Sequence, residues 1–364
     1  MSDETRKEVL IRRAILFFLV SVGWACSSGQ SGERDAAISP PDAPEEIDGT
    51  VIVMSLDAAE PADVSDDGTG EADVSDARPV GGKFVGNITT RRQVRGDFAR
   101  FWNQITPENE GKWGSVERTQ GVFNWSALDA IYKFAQENNI IFKEHTFVWG
   151  SQQPSWVDNE NGLEAVKNWI SSFCQRYPET ALIDVVNEPP PHTTPAYIES
   201  MGGSGVSGWD WIANAFKWAR EACPKAILIL NDYDNVENSE AVQHTIDIVK
   251  AIRSVGAPVD AVGCQAHSSY NLPATTVQAN IDRIAAETGL PVYITEYDID
   301  IEDDVRQMAV MQEQFSMFWE NQNIKGITLW GYVYGQTWMA HTGLIYDDGS
   351  MRPAMSWLLS FLGR

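Results

Sequence analysis

The sequence predicts an α/β fold, a (β/α)8 TIM barrel, over residues 83–364. Three observations carry that expectation. Short, near-continuous apolar runs recur eight times, the pattern of strands buried on both faces. Longer stretches of helical periodicity separate them, as crossovers between parallel strands require. The segment is also close to the ~250 residues typical of such a barrel. An open, doubly wound sheet is the alternative, but no Gly-rich nucleotide turn follows any of the runs.

In chain order, the strands are expected at 84–88, 102–106, 141–147, 182–186, 226–230, 261–265, 291–295 and 326–330. Helices are expected between them at 126–138, 164–176, 209–222, 239–255, 277–288 and 305–321. No second linker interrupts this stretch, so 83–364 reads as one domain. Residues 1–26 read as an export signal. Arg6, Lys7, Arg12 and Arg13 form its basic start, and an apolar run over 14–25 follows. That run falls short of the ~20 residues a membrane span needs. Ala25-Cys26-Ser27-Ser28 resembles the cleavage and lipidation site of a bacterial lipoprotein, although Gly23 and Trp24 depart from that pattern. The alternative is an ordinary signal peptide cut nearby.

Residues 27–82 have no aromatic residue and are rich in Asp, Glu, Ala, Ser, Pro and Gly. They read as a disordered acidic linker, with one isolated apolar patch at 50–56. The whole chain has 27 Lys+Arg against 51 Asp+Glu, a net charge of −24, and about half of that net charge falls in the linker. A basic nucleic-acid footprint is therefore excluded, while a neutral polymer substrate is not. The 14 Trp suggest a binding surface. The 5 His are dispersed, so neither a metal nor any other cofactor is expected.

Polar residues cluster where the strands should end, the face on which barrel enzymes build their sites. Thr106-Pro107-Glu108-Asn109-Glu110-Gly111-Lys112-Trp113 ends the second strand. His145-Thr146-Phe147-Val148-Trp149 ends the third, Asp184-Val185-Val186-Asn187-Glu188 the fourth, and Asn231-Asp232-Tyr233 the fifth. Gln265-Ala266-His267, Thr295-Glu296-Tyr297-Asp298 and Trp330-Gly331-Tyr332 end the last three. A single Glu at a strand end is more often a surface charge than a catalyst. Glu188 and Glu296 differ, because each follows an apolar strand and faces a ring of Asn, His, Gln and Trp. Two carboxylates across a barrel mouth suit glycosidic bond hydrolysis, in which one protonates the leaving oxygen and the other meets the developing oxocarbenium ion.

The motifs Thr-Pro-Glu-Asn-Glu-x-Lys-Trp, Asp-Val-Val-Asn-Glu and Ile-Thr-Glu-x-Asp-Ile, in that order, resemble glycoside hydrolase family 10, the endo-1,4-β-xylanases. The resemblance covers about 84–362. It implies a barrel, a retaining double displacement, Glu188 as acid/base and Glu296 as nucleophile. It also implies that Asn187 binds the sugar 2-OH and that His267, supported by Asp298, holds the nucleophile. Such donors favour an ionised Glu296, while a drier surround is expected to keep Glu188 protonated. Glu108, Asn109 and Lys112 resemble the residues that grip xylose on the non-reducing side. His145 and Gln152 resemble hydroxyl partners at the cleaved sugar, with Trp149, Trp330 and Trp338 as its aromatic walls. Tyr233 and Gln265 are expected near the leaving side. Trp125, Trp169, Trp218, Trp319 and Trp357 are expected in the core, with Trp209 and Trp211 undecided.

The chain departs from the family pattern at four places. Gly150 stands where His is usual, Pro189-Pro190-Pro191 follows the acid/base, Tyr297 replaces Leu, and 332–337 lacks the usual acidic turn. These changes are expected around the cleaved sugar and the leaving side, not around the two Glu. Gly150 is expected to open space for a hexose hydroxymethyl group or a side-chain decoration. Cys174 and Cys223 fall on helices preceding neighbouring strands and form either a disulfide or two buried thiols, whereas Cys264 reads as core. The sequons at Asn87 and Asn124 are not expected to carry glycans. The leading expectation is a retaining endo-1,4-β-xylanase acting on xylan or xylo-oligosaccharides. It is expected to be monomeric and exported, as a lipoprotein at the bacterial cell surface or in secreted form. Its rivals are a β-1,4-glucan or decorated-glycoside hydrolase with the same chemistry, and an inactive glycan-binding barrel.

Overall fold

The computed structural model describes residues 82–364. The expected export signal at 1–26 with Cys26, the patch at 50–56 and all of the expected acidic linker but Gly82 lie outside the described residues. Eight strands follow one another around a closed parallel barrel: β1 (Phe84–Ile88), β2 (Gln104–Thr106), β3 (Ile141–Trp149), β4 (Leu182–Asn187), β5 (Ile227–Asp232), β6 (Ala261–Cys264), β7 (Val292–Tyr297) and β8 (Ile324–Leu329). β8 closes the ring by pairing with β1, Phe84 opposite Gly326.

Most boundaries lie within a few residues of expectation, and the differences have physical causes. β2 begins at Gln104 because Trp102 is still the C-cap of a short helix, Phe98–Phe101, its N–H bonding to the Phe98 carbonyl at 3.0 Å. β3, β4, β5 and β7 run past their apolar stretches into Trp149, Asn187, Asp232 and Tyr297. Side chains at strand ends serve the site, so their polarity hides strand that the backbone still forms. The helices Ser126–Glu137, Gly162–Arg176, Asp210–Ala222, Ser239–Ser254, Ala274–Thr288 and Asp304–Glu320 fill the outer layer, and Pro353–Leu362 follows β8. Each buries one face. In Ser239–Ser254 that face is Val242, Thr245, Ile246, Ile248, Val249 and Ile252, and Asn238 caps the start by accepting from the Glu240 and Ala241 amides.

Inside the barrel the rungs change character from base to mouth. Phe84, Leu182, Ile229, Ala261 and Tyr293 form an apolar plug. Above it lie buried polar groups: Gln104 donates to Thr106 at 2.8 Å and accepts from Thr328 at 2.8 Å. Gln104, Thr106 and Thr328 are tolerated there because each finds a partner. The outer core carries most of the indoles. Trp169 is fully buried and stacks on Trp113 and Trp125, and Trp319 and Trp357 pack around Phe315 and Phe361. Trp211 is buried, and Trp209 meets the His244 ring edge-on. At the opposite end from the mouth, Cys174 and Cys223 form a disulfide between consecutive helices, while Cys264 is a buried free thiol. Asn87 is fully buried, donating to the Gly331 carbonyl at 3.3 Å, which rules out a glycan there.

Candidate active site

The site stands on a buried charge network. Lys143 Nζ lies 2.8 Å from Asp184 Oδ2, and His145 Nδ1 lies 2.9 Å from the same oxygen. All three residues are almost completely buried, so water screens none of these charges. Ligand-type atoms of His145, Asp184 and Glu296 come within 4.8 Å of one another. The Lys143 ammonium already supplies positive charge there.

Glu296 sits on this floor at the end of β7. Asn231 Nδ2 donates to its Oε1 at 2.8 Å, His267 Nε2 lies 3.3 Å from Oε2, and His145 Nδ1 is 3.8 Å from Oε1. Burial alone would raise its pKa. The positive charges of His145, His267 and Lys143, with the His267 hydrogen bond, overcome that and hold it at about 2. His267 Nδ1 lies 3.1 Å from Asp298 Oδ2, so one ring links the two carboxylates. Burial would lower the His267 pKa, but Asp298 and Glu296 push it up to about 10. The ring is therefore an imidazolium at neutral pH.

Glu188 occupies the rim. It is partly exposed. Trp149 Nε1 donates to its Oε2 at 2.8 Å, and Gln265 Nε2 and Asn187 Nδ2 donate to Oε1 at 3.1 and 3.3 Å. Its backbone has φ 50°, a strained conformation for a residue with a Cβ. Its N–H donates to the Asn231 carbonyl at 2.9 Å, and its own carbonyl accepts from Thr193 Oγ1 at 2.7 Å. These two anchors hold the turn that aims the side chain into the mouth.

Asn187 and Asn231 connect the two carboxylates. Asn231 Nδ2 also donates to Asn187 Oδ1 at 2.8 Å, and its Oδ1 accepts from Thr295 Oγ1 at 2.6 Å. The consecutive residues Thr295 and Glu296 thus both reach Asn231. Strict strand alternation forbids that, and a register shift between Ile294 and Tyr297 allows it. Similar shifts lie at His145/Val148 and Asp184/Val186. Gly263 makes room for Asn231, since a Cβ there would lie 2.4 Å from its Oδ1.

The remaining expected residues line the same mouth. Lys112 Nζ donates to Asn109 Oδ1 at 3.2 Å and lies 4.9 Å from the Trp149 ring centroid. Burial pulls the Lys112 pKa below its usual range, although Glu296, Glu108, Glu188 and Glu110 surround it. Burial, with Glu110 nearby, pushes Glu108 up to about 7 against the pull of Lys112. Trp330 meets the His145 ring at 5.3 Å, and Trp338, 54% exposed, donates to Asp298 Oδ2 at 2.7 Å. Arg352 anchors the Trp338 loop by donating to the His341 carbonyl at 2.6 Å and the Gly343 carbonyl at 2.9 Å. Gln152 is exposed beside Lys112 and Trp149. Gln265 sits between Asn187, to which it donates at 3.2 Å, and Glu188.

Two expectations about the departures are corrected. Gly150 opens no space, because Thr193 and Thr194 fill it: a Cβ on Gly150 would lie 2.5 Å from the Thr194 nitrogen. Tyr297 and Tyr332 do not surround the sugar. Tyr297 is buried against Phe318, and Tyr332 is buried with its hydroxyl donating to Asp97 at 2.6 Å. Sequence reasoning also missed parts of the site. Asn231 and Asp184 were visible only as polar residues in strand-end motifs, and Lys143 lay hidden inside a strand. His192, in the loop after Glu188, carried no signal at all.

A barrel, a buried nucleophile-type carboxylate and a rim carboxylate joined through two asparagines together define a glycosidase-type site. A family model for glycosyl hydrolase family 10 matches residues 75–360. Endo-1,4-beta-xylanase B of Cellvibrio japonicus is 49% identical over 282 residues, covering 76% of this chain and 45% of that protein. Endo-1,4-beta-xylanase 3 of Hypocrea jecorina is 32% identical, covering 69% of this chain and 72% of that protein. The chain therefore spans less than half the length of the Cellvibrio relative. Among solved structures, a family 10 protein from Paenibacillus barcinonensis superposes with a TM-score of 0.70 at 25% identity, covering 77% of this chain and 96% of that one. Native xylanase 10B from Thermotoga maritima gives 0.67 at 26% identity, covering 78% and 95%. With the site geometry and these matches in agreement, the chain belongs to glycosyl hydrolase family 10.

Proposed function

We propose that the protein is an endo-1,4-β-xylanase that cleaves internal β-1,4 bonds of xylan with retention of configuration. The observation that carries this is the unlike environment of the two carboxylates. Glu296 is buried, ionised and held by Asn231 and His267, as a nucleophile requires. Glu188 is at the open rim, where a leaving group and later a water can reach it. In the first step Glu188 gives its proton to the glycosidic oxygen as a Glu296 oxygen bonds to the anomeric carbon, breaking the bond to the leaving sugar. In the second, Glu188 takes a proton from water, the water oxygen attacks the same carbon, and Glu296 departs as carboxylate. Two inversions give net retention.

Lys112, Asn109 and Glu108 hold the non-reducing side, with Trp149, Trp330 and Trp338 as walls for sugar faces. The filled space at Gly150 removes the argument for a hexose hydroxymethyl group, so xylan is favoured over β-glucan. Export is part of the same reading. A disulfide between Cys174 and Cys223 fits an oxidising compartment, and the basic, apolar start with Cys26 fits a lipid-anchored lipoprotein on an acidic stalk.

The test is an NMR time course of anomeric protons with xylohexaose and cellohexaose in parallel. β-Anomer appearing first, from xylohexaose, is the expected result; α-anomer first, or faster cleavage of cellohexaose, refutes the reading. Glu296→Ala should abolish turnover. Glu188→Ala should spare the first step on substrates with good leaving groups, and full activity on polymer would overturn its role. Cys26→Ser should release the protein from membranes, and unchanged association would count against lipidation.

A further inference from the structure

We propose that His192 determines specificity on the leaving side of the cleavage point: stacked on Tyr233, it forms a rigid platform that receives the expelled sugar ring. The proposal rests on the hydrolase reading above and adds a residue to it. The His192 and Tyr233 rings lie 3.7 Å apart and 11° from parallel. His192 Nδ1 lies 2.7 Å from Asp232 Oδ1, which also accepts from the Tyr233 amide at 3.0 Å. Asp232 is buried, so one carboxylate holds both the His192 ring and the Tyr233 backbone.

The loop itself is braced. His244 Nε2 lies 2.7 Å from the Pro190 carbonyl oxygen. Thr193 accepts from the Gly150 amide at 3.2 Å and donates to the Glu188 carbonyl. The platform therefore starts four residues after the acid/base and cannot drift from it. Its Nδ1 is engaged, and the ring is only partly buried, which leaves Nε2 for a ligand hydroxyl. A flat, partly exposed aromatic face beside a polar atom is what a sugar ring recognises. The charged groups facing the ring are Asp232, Asp234 and Glu188. Burial opposes protonation, but these carboxylates outweigh it and raise the His192 pKa above its ordinary value. While the ring is protonated, Nε2 is a donor.

The experiment compares kcat/KM on xylohexaose, which has a sugar leaving group, with an aryl β-xylobioside, which has none. His192→Ala should lose about tenfold or more on xylohexaose and stay within about twofold on the aryl substrate. His192→Phe keeps the stacked ring and should retain lower KM than His192→Asn, which keeps only a donor to Asp232. Titration of Glu188 lowers the xylohexaose-to-aryl ratio with rising pH in every variant, so the expected signature of His192 is a steeper fall in wild-type protein than in His192→Phe or His192→Asn. Equal losses on the two substrates, or no loss on either, would overturn the proposal. Wild-type protein inert on both would instead sink the hydrolase reading and the proposal with it.

Discussion

Replacing Asn231 by Ala removes the one amide that touches both Glu296 and Asn187. The bond to Glu296 is short, buried and accepted by an ionised group, a class worth ~1.5–3 kcal/mol. If that stabilisation is expressed as nucleophile alignment in the transition state, kcat should fall roughly 10- to 150-fold. A second consequence concerns pH. A donor to the charged form lowers a carboxyl pKa, so its loss lets Glu296 rise from about 2 toward the ordinary range. The acid limb of the kcat/KM profile should then move to higher pH. The assay is steady-state hydrolysis of an aryl β-xylobioside from acid to neutral pH at 25 °C, with thermal unfolding measured alongside. Thr295 loses its acceptor, so some loss of stability, ~1–3 kcal/mol, accompanies the change. A variant with kcat within twofold of wild type and an unmoved acid limb would refute the reasoning, because Asn231 would then only fill space.

Three further outcomes are expected. Glu108, pushed up to about 7, is neutral below that pH and ionised above it, so KM for xylo-oligosaccharides should fall as pH rises through neutrality. Glu108→Gln should flatten that dependence, and an unchanged profile would remove Glu108 from sugar binding. Gly150→Ala places a Cβ 2.5 Å from the Thr194 nitrogen and should cost about 1–3 kcal/mol by denaturant unfolding. Activity should drop with it, since Thr193 anchors Glu188 from the same loop; wild-type stability would show that the loop yields freely. Opening the Cys174–Cys223 bond, which links residues 49 apart, should cost about 4 kcal/mol of stability by the loop-entropy argument. Measured kcat of the folded fraction should not change, because the bond lies at the far end of the barrel.

The barrel was legible because parallel strands buried on both faces must be apolar throughout, and β1 matches its expected residues, 84–88. The two carboxylates proposed for catalysis stood out for a related reason. Strand ends at the mouth are where polar residues interrupt apolar runs, and Glu188 and Glu296 interrupt two of them. Boundaries failed at those same points, because the polarity that marks the site conceals the last residues of the strands.

The sequence by itself pointed to a parallel sheet of eight strands covered by helices, to the strand ends where polar residues gather, and to two carboxylates among them. These follow from periodicity and residue type, which are local properties. Only the tertiary structure decided how the carboxylates are held. The register shifts that turn Thr295 and Glu296 to the same Asn231 depend on pairing with neighbouring strands. The buried Lys143–Asp184–His145 floor joins side chains of two strands, and no one-dimensional pattern reports that distance. The same holds at Gly150, where a missing side chain looked like a vacancy. Close packing let Thr193 and Thr194, more than forty residues away in the chain, occupy that space.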